Sequence, residues 1–486
     1  MTAPTGLAKK SIGTSSLFWF CVGASAPMTV LAGSVTATFA LTGVAGTPVS
    51  FLVIALALYL FSVGYVAMAR HVPHAATFYA FFARGLGRVW GVSGSFIALL
   101  SYNALQIGLY GLIGASLADE VGGQWWIWAL VVWAVIALLG LLHVTFNAVV
   151  LAVVLITEIA VIVLFDLASF INPAEGSISI EPMSPSALLV TGVGGVFALT
   201  VASFVGFELG PVFGEEARGH KSVSRATYWA LAFTGIFYAV SAWAMSVAAG
   251  PSSIVAAAQE QGPGIMFGIL ETHYGKAVSY LASLLLITSI FGAMLSFHNG
   301  IGRYVFGLSR EGVLPQAFSR VGSGANRAGA PIGGSVLQSL IALAVLAVCV
   351  VLGADPMAFL FTWLTTVAAV GVMALILGTN FAVMGFFRRG GGTRESPWQR
   401  VLAPVLGAIA IAGILLITVA NLSSLLGLEP TSPLQYIVPA LIVLAGVLGA
   451  IWGISLRARP EVYNRIGVGE PETLAVLETD LSHLRV

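Results

Sequence analysis

The chain has 486 residues, of which 58% are hydrophobic and 8% are charged, and its formal net charge is +1 at pH 7. Soluble proteins carry about 25% charged residues, so the composition excludes an ordinary soluble domain, and the basic residues form no stripe that would bind nucleic acid. Cys21 and Cys349 both lie inside apolar runs, which argues against a disulfide framework or a cysteine-ligated metal. We therefore expect a polytopic protein in contact with a lipid bilayer, with no metal and no cofactor.

The first apolar run, 17–41, is interrupted near its middle by Gly23-Ala24-Ser25-Ala26-Pro27. Proline removes a backbone donor, and glycine tolerates non-helical dihedral angles. Because an unsatisfied peptide group costs several kcal/mol in hydrocarbon, unwound backbone is expected there only where it lines a cavity or binds a ligand. The run is also too long for a secretory signal, so we expect a retained and broken membrane helix.

Runs of about 20 apolar residues predict the membrane spans. The twelve predicted spans are 15–41, 48–69, 89–117, 125–142, 147–170, 189–213, 227–249, 277–306, 333–352, 358–387, 401–421 and 433–456. If the N-terminus is inside, every Lys and Arg except Lys276 falls on the cytoplasmic side, as the positive-inside rule requires. Both termini are therefore predicted to be cytoplasmic, in a plasma or inner membrane.

The sixth predicted span is also interrupted, by Gly206, Glu208, Gly210 and Pro211. Paired interrupted helices in corresponding halves of a chain indicate the binding site of a secondary transporter. Since the second break comes five spans after the first, the second repeat would begin in the opposite orientation, which predicts a five-plus-five inverted repeat. The predicted organisation is a cytoplasmic N-terminus (1–14), two repeats (15–170 and 189–387), helices eleven and twelve (401–456) and a cytoplasmic tail (457–486).

The tail after Arg459 is predicted to be soluble. Leucines recur at helical spacing near its end, behind Pro471, and indicate a short amphipathic helix. We interpret this segment as a surface helix; its leucines are Leu474, Leu477, Leu481 and Leu484.

Three motifs resemble those of the amino acid–polyamine–organocation permeases. The stretch 73–94 is similar to the family's entry to span three, 204–208 with Glu215-Glu216 resembles its span-six signature, and 303–315 resembles the loop after span eight. Their order and their positions at the corresponding spans carry the resemblance, which covers nearly all of spans one to ten. The chain departs from the family at Gly219-His220, at Glu311 and in the residues of the first break.

The resemblance implies an all-helical LeuT-type fold, with discontinuous helices one and six and two peripheral helices after the inverted repeat. It also implies an amino acid permease of the cytoplasmic membrane. A permease of polyamines or cationic amines, an exchanger and a non-transporting membrane sensor remain as alternatives. The residues offer no metal-ligand cluster and no catalytic set, so we do not expect an enzyme.

An amino acid needs partners for its carboxylate and for its ammonium. The amides of Gly23, Ala24, Ser25 and Ala26 are predicted to hold the carboxylate, helped by the positive end of the next half-helix. The ammonium would take carbonyls freed by the sixth-span break. These are predicted from Ala202, Val205 and Gly206, and Asn103 in span three is a further candidate that either lines the pocket or packs between helices.

Glu208 is predicted to act in coupling or gating, because an ionisable residue inside a span normally has a function there. A second carboxylate, Glu158, lies in span five, where some family members have a lysine that replaces a bound sodium. Glu158 could take a proton, or ligate sodium together with the hydroxyls of Thr288 and Ser289, although ordinary hydroxyl bonding within the helix also explains these two residues. Proton coupling is our prediction, and sodium coupling the alternative.

Overall fold

The computed structural model describes residues 7, 11–142, 144–323, 327–392, 394–429 and 431–469; of residues 144–146 and 220 only the backbone is described. The chain in these ranges forms helices joined by loops, with an isolated parallel β-bridge between Ile12 and Ala217. The predicted amphipathic helix with Leu474 to Leu484 lies outside the described residues, as do Lys9 and Lys10.

Every predicted span corresponds to a helix. Within the described ranges, eleven helices are long and apolar enough to cross a membrane: Thr14–Thr42, Thr47–Ala69, Arg88–Val121, Asn147–Ile171, Val193–Phe213, Lys221–Ala249, Lys276–Arg310, Ile332–Val351, Pro356–Arg388, Trp398–Ala420 and Pro433–Ala458. At the predicted fourth span the helix is Trp125–Leu139, whose 15 residues are fewer than the about 20 that cross hydrocarbon. The spans are numbered one to twelve in the order predicted from the sequence, with Trp125–Leu139 as the fourth.

Shorter helices lie in the connections. Thr77–Gly85 precedes the third span, Ile254–Gln261 and Gly264–Tyr274 follow the seventh, and Pro460–Arg465 follows the twelfth. Single turns of helix complete the connections at Glu181–Met183, Pro185–Leu188, Gln316–Ser319 and Leu422–Leu425.

The first span is broken at the predicted position. An α-helix, Thr14–Ser25, ends at Ala26, whose φ of 48° and ψ of 75° are left-handed, and helix resumes at Pro27. Pro27 supports the restart because its fixed φ suits the first helical position and its missing amide would have no helical partner. The second half continues through a π-helical segment, Val30–Val35, to Thr36–Thr42.

The sixth span is broken as well. Its first half is the α-helix Val193–Ala202. A turn then leads to Gly206, whose φ is 117°, and a 3₁₀ helix, Phe207–Phe213, forms the second half. Pro211 lies inside this second half, where it cannot donate an α-helical hydrogen bond. The two breaks predicted from glycine and proline are thus both present as interruptions of the helix.

The broken spans lie at the centre of the helical bundle. In its most apolar window the sixth span is 83% buried and the first 72%, whereas the twelfth is 22% buried. The first span packs against the fifth, seventh and eighth spans and against the second half of the sixth. The eleventh span packs on the second and tenth, and the twelfth on the third, so these last two helices flank the centre.

Candidate functional site

The break in the first span exposes different backbone groups from those that the sequence suggested. Gly23, Ala24 and Ser25 form the last turn of the first half-helix, where amides donate within the helix and carbonyls are left over, and the Ala26 amide donates to the Gly23 carbonyl at 3.1 Å. The amides that lack a helical hydrogen bond are those of Met28 and Thr29, at the start of the second half. The next amide, that of Val30, already donates to the Ala26 carbonyl at 2.9 Å.

Ala26 is the residue that turns the chain. It is the sole non-glycine residue with positive φ in the described part of the chain. A left-handed conformation costs a residue with a Cβ roughly 1–2 kcal/mol, so this strain must be offset by the surrounding packing. Such strain is typical of functional sites.

The two breaks touch each other. A Cβ on Gly206 would clash with the methyl group of Ala24 and lie 3.1 Å from its carbonyl carbon. Gly23 has close neighbours on the other side, because a Cβ there would lie 3.2 Å from the Ser296 hydroxyl and 3.3 Å from Leu155. Glycine at these two positions allows the first span to fit between the sixth, fifth and eighth spans.

Glu208 caps the break in its own span. Its carboxylate is fully buried and accepts the Gly206 amide at 2.8 Å and the Tyr102 hydroxyl at 3.1 Å. The Tyr65 hydroxyl donates to the Glu208 carbonyl at 2.8 Å. Both carboxylate oxygens therefore have donors, and Glu208 holds the third and sixth spans together at the break.

The carbonyls predicted to bind an ammonium are partly used by turns. Ala202 accepts the Val205 amide at 3.2 Å, and Gly206 accepts the Leu209 amide at 3.0 Å. A carbonyl oxygen has two lone pairs, so each can still accept a further donor. Val205 itself is buried beside the turn.

Glu158 differs sharply from Glu208. It is fully buried on the fifth span, and neither of its carboxylate oxygens has a hydrogen-bond partner among the described residues. The Ser289 hydroxyl and the Met28 backbone lie nearby without hydrogen-bond geometry, and Tyr238 of the seventh span is also close enough to interact electrostatically. Glu158 therefore faces the restart of the first span as an unsatisfied carboxylate.

The two hydroxyls predicted on the eighth span face different ways. Ser289 accepts the Thr29 amide at 3.4 Å, so it contacts the second half of the first span. Thr288 donates to the Leu285 carbonyl of its own helix at 3.1 Å, the ordinary arrangement for a hydroxyl in a helix. Ser289 therefore lies beside Glu158, whereas the hydroxyl of Thr288 is used by a hydrogen bond within its own helix.

Tyr238 was missed by the sequence reasoning. Its hydroxyl donates to the Ser25 carbonyl at 3.2 Å, so it satisfies one of the groups left over at the end of the first half-helix. The available signal was a tyrosine at the middle of an apolar span, which needs a hydrogen-bond partner for its hydroxyl when buried.

The buried oxygens without a hydrogen-bond partner among the described residues include Thr29 Oγ1 on the first span, Asn103 Oδ1 and Gln106 Oε1 on the third, and Ser296 Oγ beside Gly23. The Asn103 amide nitrogen donates to the Leu99 carbonyl at 2.8 Å, which turns the residue so that its oxygen is left over. A Cβ at Gly33, one turn beyond Thr29, would meet no atom within 4 Å, so there is open space beside the second half of the first span. Buried oxygens without a partner are candidate contacts for a polar ligand.

The end of the bundle predicted to be cytoplasmic is closed by ion pairs. Arg303 and Glu216 form a buried salt bridge, with Arg303 Nη2 3.0 Å from Glu216 Oε1. Ile12 pairs beside it, donating its amide to the Glu216 carbonyl at 3.1 Å. Arg310 donates two hydrogen bonds of 2.7 Å to Glu215. Burial by itself raises the pKa of Glu215, but the hydrogen bonds and the charge of Arg310 outweigh it and lower that pKa.

Glu311 joins a third contact on the same face. Its buried carboxylate accepts the Tyr79 hydroxyl at 2.6 Å and contacts His74 Nε2 at 2.8 Å. The segment after the twelfth span adds the amides of Gly467 at 2.7 Å and Gly469 at 2.8 Å. Burial alone would raise the pKa of Glu311, but the neighbouring His74 and the donors from Tyr79 and Gly469 lower it below its ordinary value.

Other polar side chains inside the spans have local partners. His298 pairs with the Ser335 hydroxyl at 2.7 Å, which is the arrangement of a packed histidine. Thr365 and Thr366 bond to carbonyls of their own helix. Within the described residues, no group of three or more His, Cys, Asp or Glu side chains is arranged to hold a metal ion.

One family of known proteins matches most of the chain. No curated protein matches the chain. The profile of a family described as amino acid permease matches residues 12–448, from just before the first span into the twelfth. This match covers most of the 486 residues and includes both breaks and all the buried carboxylates discussed above. The chain therefore belongs to the amino acid permease family.

Proposed function

We propose that the protein is a proton-coupled secondary transporter that moves amino acids across the cytoplasmic membrane by alternating access. The observation that carries the proposal is the direct contact of two broken spans beside a buried carboxylate without a partner. The breaks supply backbone groups for a zwitterion, and Glu158 supplies a group that can bind and release a proton. The family match supports a transporter.

In this proposal the fold is a LeuT-type five-plus-five inverted repeat with two further helices. The interruption of spans one and six, five spans apart, supports it. The helix Trp125–Leu139 would serve as the fourth of twelve spans. This count puts both termini in the cytoplasm and agrees with the charge bias of the loops.

The substrate carboxylate would bind at the first break. Gly23, Ala24, Ser25 and Ala26 shape this break. The second half-helix directs the Met28 amide and the positive end of its dipole into it, beside the Thr29 amide that donates to Ser289. The ammonium would bind to carbonyls of Ala202, Val205 and Gly206 and to the free oxygen of Asn103. The negative carboxylate of the substrate would thus meet the N-terminal end of a half-helix in the first span, and its positive ammonium would meet the carbonyl end of a half-helix in the sixth.

A zwitterion fits better than a polyamine. Each oxygen of Glu208 already accepts one protein donor, so a second ammonium would have to bind beside the hydrogen bonds that cap the break and compete with them. A dication would also need an anion at each end of the pocket. We therefore expect amino acids without a cationic side chain to be the preferred substrates.

Glu158 is the better candidate for the coupling proton. A buried carboxylate ion without a partner costs several kcal/mol, so in this conformation the neutral protonated form is favoured. When the first span moves away from the fifth, water reaches Glu158 and the ionised form becomes favourable. Glu208 would instead stabilise the break, because its capping bonds to Gly206 and Tyr102 persist as long as the turn does.

The test is uptake of radiolabelled amino acids into proteoliposomes with and without a pH gradient. Glu158→Gln keeps the shape of the protonated side chain, and it should abolish gradient-driven accumulation while leaving exchange of internal for external substrate. Glu208→Gln, the matched control, should stay coupled. Accumulation by Glu158→Gln that still follows the pH gradient would refute the assignment of Glu158. Uptake that requires sodium at every pH would refute proton coupling.

A further inference from the structure

A second buried carboxylate lies on the same helix as Glu158, two turns nearer the predicted outer surface. Asp166 is 8% exposed, and its Oδ1 atom has no hydrogen-bond partner among the described residues. Its other oxygen accepts the Ser241 hydroxyl of the seventh span at 2.9 Å. One carboxylate oxygen, Oδ2, is therefore held by Ser241, and the other, Oδ1, can accept a proton.

Two hydroxyls of the seventh span connect the levels of the two acids. Ser241 contacts Asp166, and Tyr238, one turn further inward on the same helix, is close to Glu158. Glu158 and Asp166 are eight positions apart, which corresponds to about 12 Å along a helix and is too far for direct proton transfer. Ser241 and Tyr238 are one turn, or about 5 Å, apart along the seventh span. They therefore place one polar group beside Asp166 and another nearer to Glu158.

We propose that Asp166 is the proton-entry residue that loads Glu158 from the outer side. Its Oδ1 takes a proton from external water when the outer ends of the spans separate. The proton then passes inward, through water admitted by the same movement, beside the seventh span, where Ser241 bonds to Asp166 and Tyr238 bonds to the Ser25 carbonyl. Glu158 is protonated, and Asp166 returns to its ionised form. This inference rests on the proposed proton coupling at Glu158, and it adds the side and the route by which that site is loaded.

The surroundings of Asp166 contain no competing buried charge within the described residues. The titratable groups on the outer parts of the elements packed against the fifth span, apart from Tyr238, are exposed: Glu271, His273, Tyr274, Lys276 and Tyr280. His273 faces Asn172 at 3.4 Å, and the Tyr274 hydroxyl donates to the Leu164 carbonyl at 3.1 Å, so both cover the outer end of the fifth span without bonding to Asp166. Asp166 is therefore the first buried acid inward from this surface.

The experiment compares gradient-driven uptake with exchange at equal pH on both sides. Asp166→Asn keeps a side chain that can bond to Ser241 but removes the titrating group. We expect its initial rate of gradient-driven uptake to fall roughly 10²-fold, the lower end of the effect of a positioned proton-transfer group, with exchange unchanged. Asp166→Glu restores an acid and should recover most of the rate. Glu175→Gln removes an exposed outer carboxylate that binds Ser252 and should have no effect.

The outcomes separate the two proposals. If Asp166→Asn takes up substrate at the wild-type rate while Glu158→Gln is uncoupled, the entry role is refuted and coupling at Glu158 stands. Equal loss of exchange and of gradient-driven uptake in Asp166→Asn, without recovery in Asp166→Glu, would make Asp166 a structural partner of Ser241 and would also refute the entry role. If Glu158→Gln remains coupled, the proposed coupling site itself is wrong.

Discussion

Ala24 of the first broken span and Gly206 of the sixth are in direct contact, so close that a Cβ on Gly206 would lie 3.1 Å from the Ala24 carbonyl carbon and clash with its methyl group. The contact joins the end of one half-helix to the turn of another. A movement of either broken span would therefore displace the other, and in the proposed transporter this contact links the two sets of backbone groups assigned to the substrate.

Gly206→Ala should destabilise the protein and abolish transport. The added methyl meets Ala24, and the residue must keep a φ of 117°, which alanine rarely adopts. We expect a loss of roughly 2–4 kcal/mol in unfolding free energy from overpacking and backbone strain together. Thermal unfolding in detergent measures the loss. Gly413→Ala, where the new methyl meets nothing within 4 Å, should be harmless.

Gly23→Val should prevent substrate binding while the protein still reaches the membrane. The larger side chain pushes on Ser296, Leu155 and Leu151, all within 3.4 Å of a Cβ at this position, and so displaces the first break from the fifth and eighth spans. Binding is measured as ligand-induced thermal stabilisation. Gly33→Ala, beside open space, should fold normally. Normal transport by Gly23→Val would contradict the assignment of this break to the substrate.

The predicted orientation can be tested with single cysteines, because Cys21 and Cys349 are both buried. Ser253→Cys lies in the connection after the seventh span and should react with an impermeant maleimide in intact cells. Ser396→Cys, exposed between the tenth and eleventh spans, should react only after permeabilisation. The reverse pattern would overturn the numbering of the spans.

The salt bridge of Arg303 with Glu216 should behave as a buried pair. Arg303→Gln or Glu216→Gln alone leaves one charge buried without its partner and should cost roughly 3–5 kcal/mol. The double variant removes both charges and should recover much of that loss. A double-mutant cycle on unfolding temperatures measures the coupling, and strictly additive losses would show that the pair is not coupled.

Glu311 should make stability depend on pH in the acid range. Its pKa is lowered in the folded protein, so its contribution is complete above the ordinary glutamate value of about 4.3 and is lost as the pH falls through the lowered folded value. Glu311→Gln should lower the unfolding temperature at neutral pH and flatten its decline below about pH 4. An identical acid profile in wild type and variant would contradict this role.

The sequence by itself determined the helices and their breaks. Membrane spans are set by local hydropathy, and the breaks by glycine and proline, whose effects act on neighbouring peptide groups without reference to the rest of the chain. For this reason the breaks at Ala26 and Gly206 and the helices that flank them were predictable.

Only the tertiary structure decided which polar groups meet. From the sequence, Glu208 was the first candidate for coupling and Glu158 the second, but Glu208 is capped by Gly206 and Tyr102, whereas Glu158 has no hydrogen-bond partner in the described chain. Likewise Ser289 contacts the first span while Thr288 does not, and Tyr238 gave no signal of its partner at Ser25. The reason is geometric: in a span apolar on all sides, hydropathy does not fix the helix's rotation, and that rotation decides which side chain faces a break.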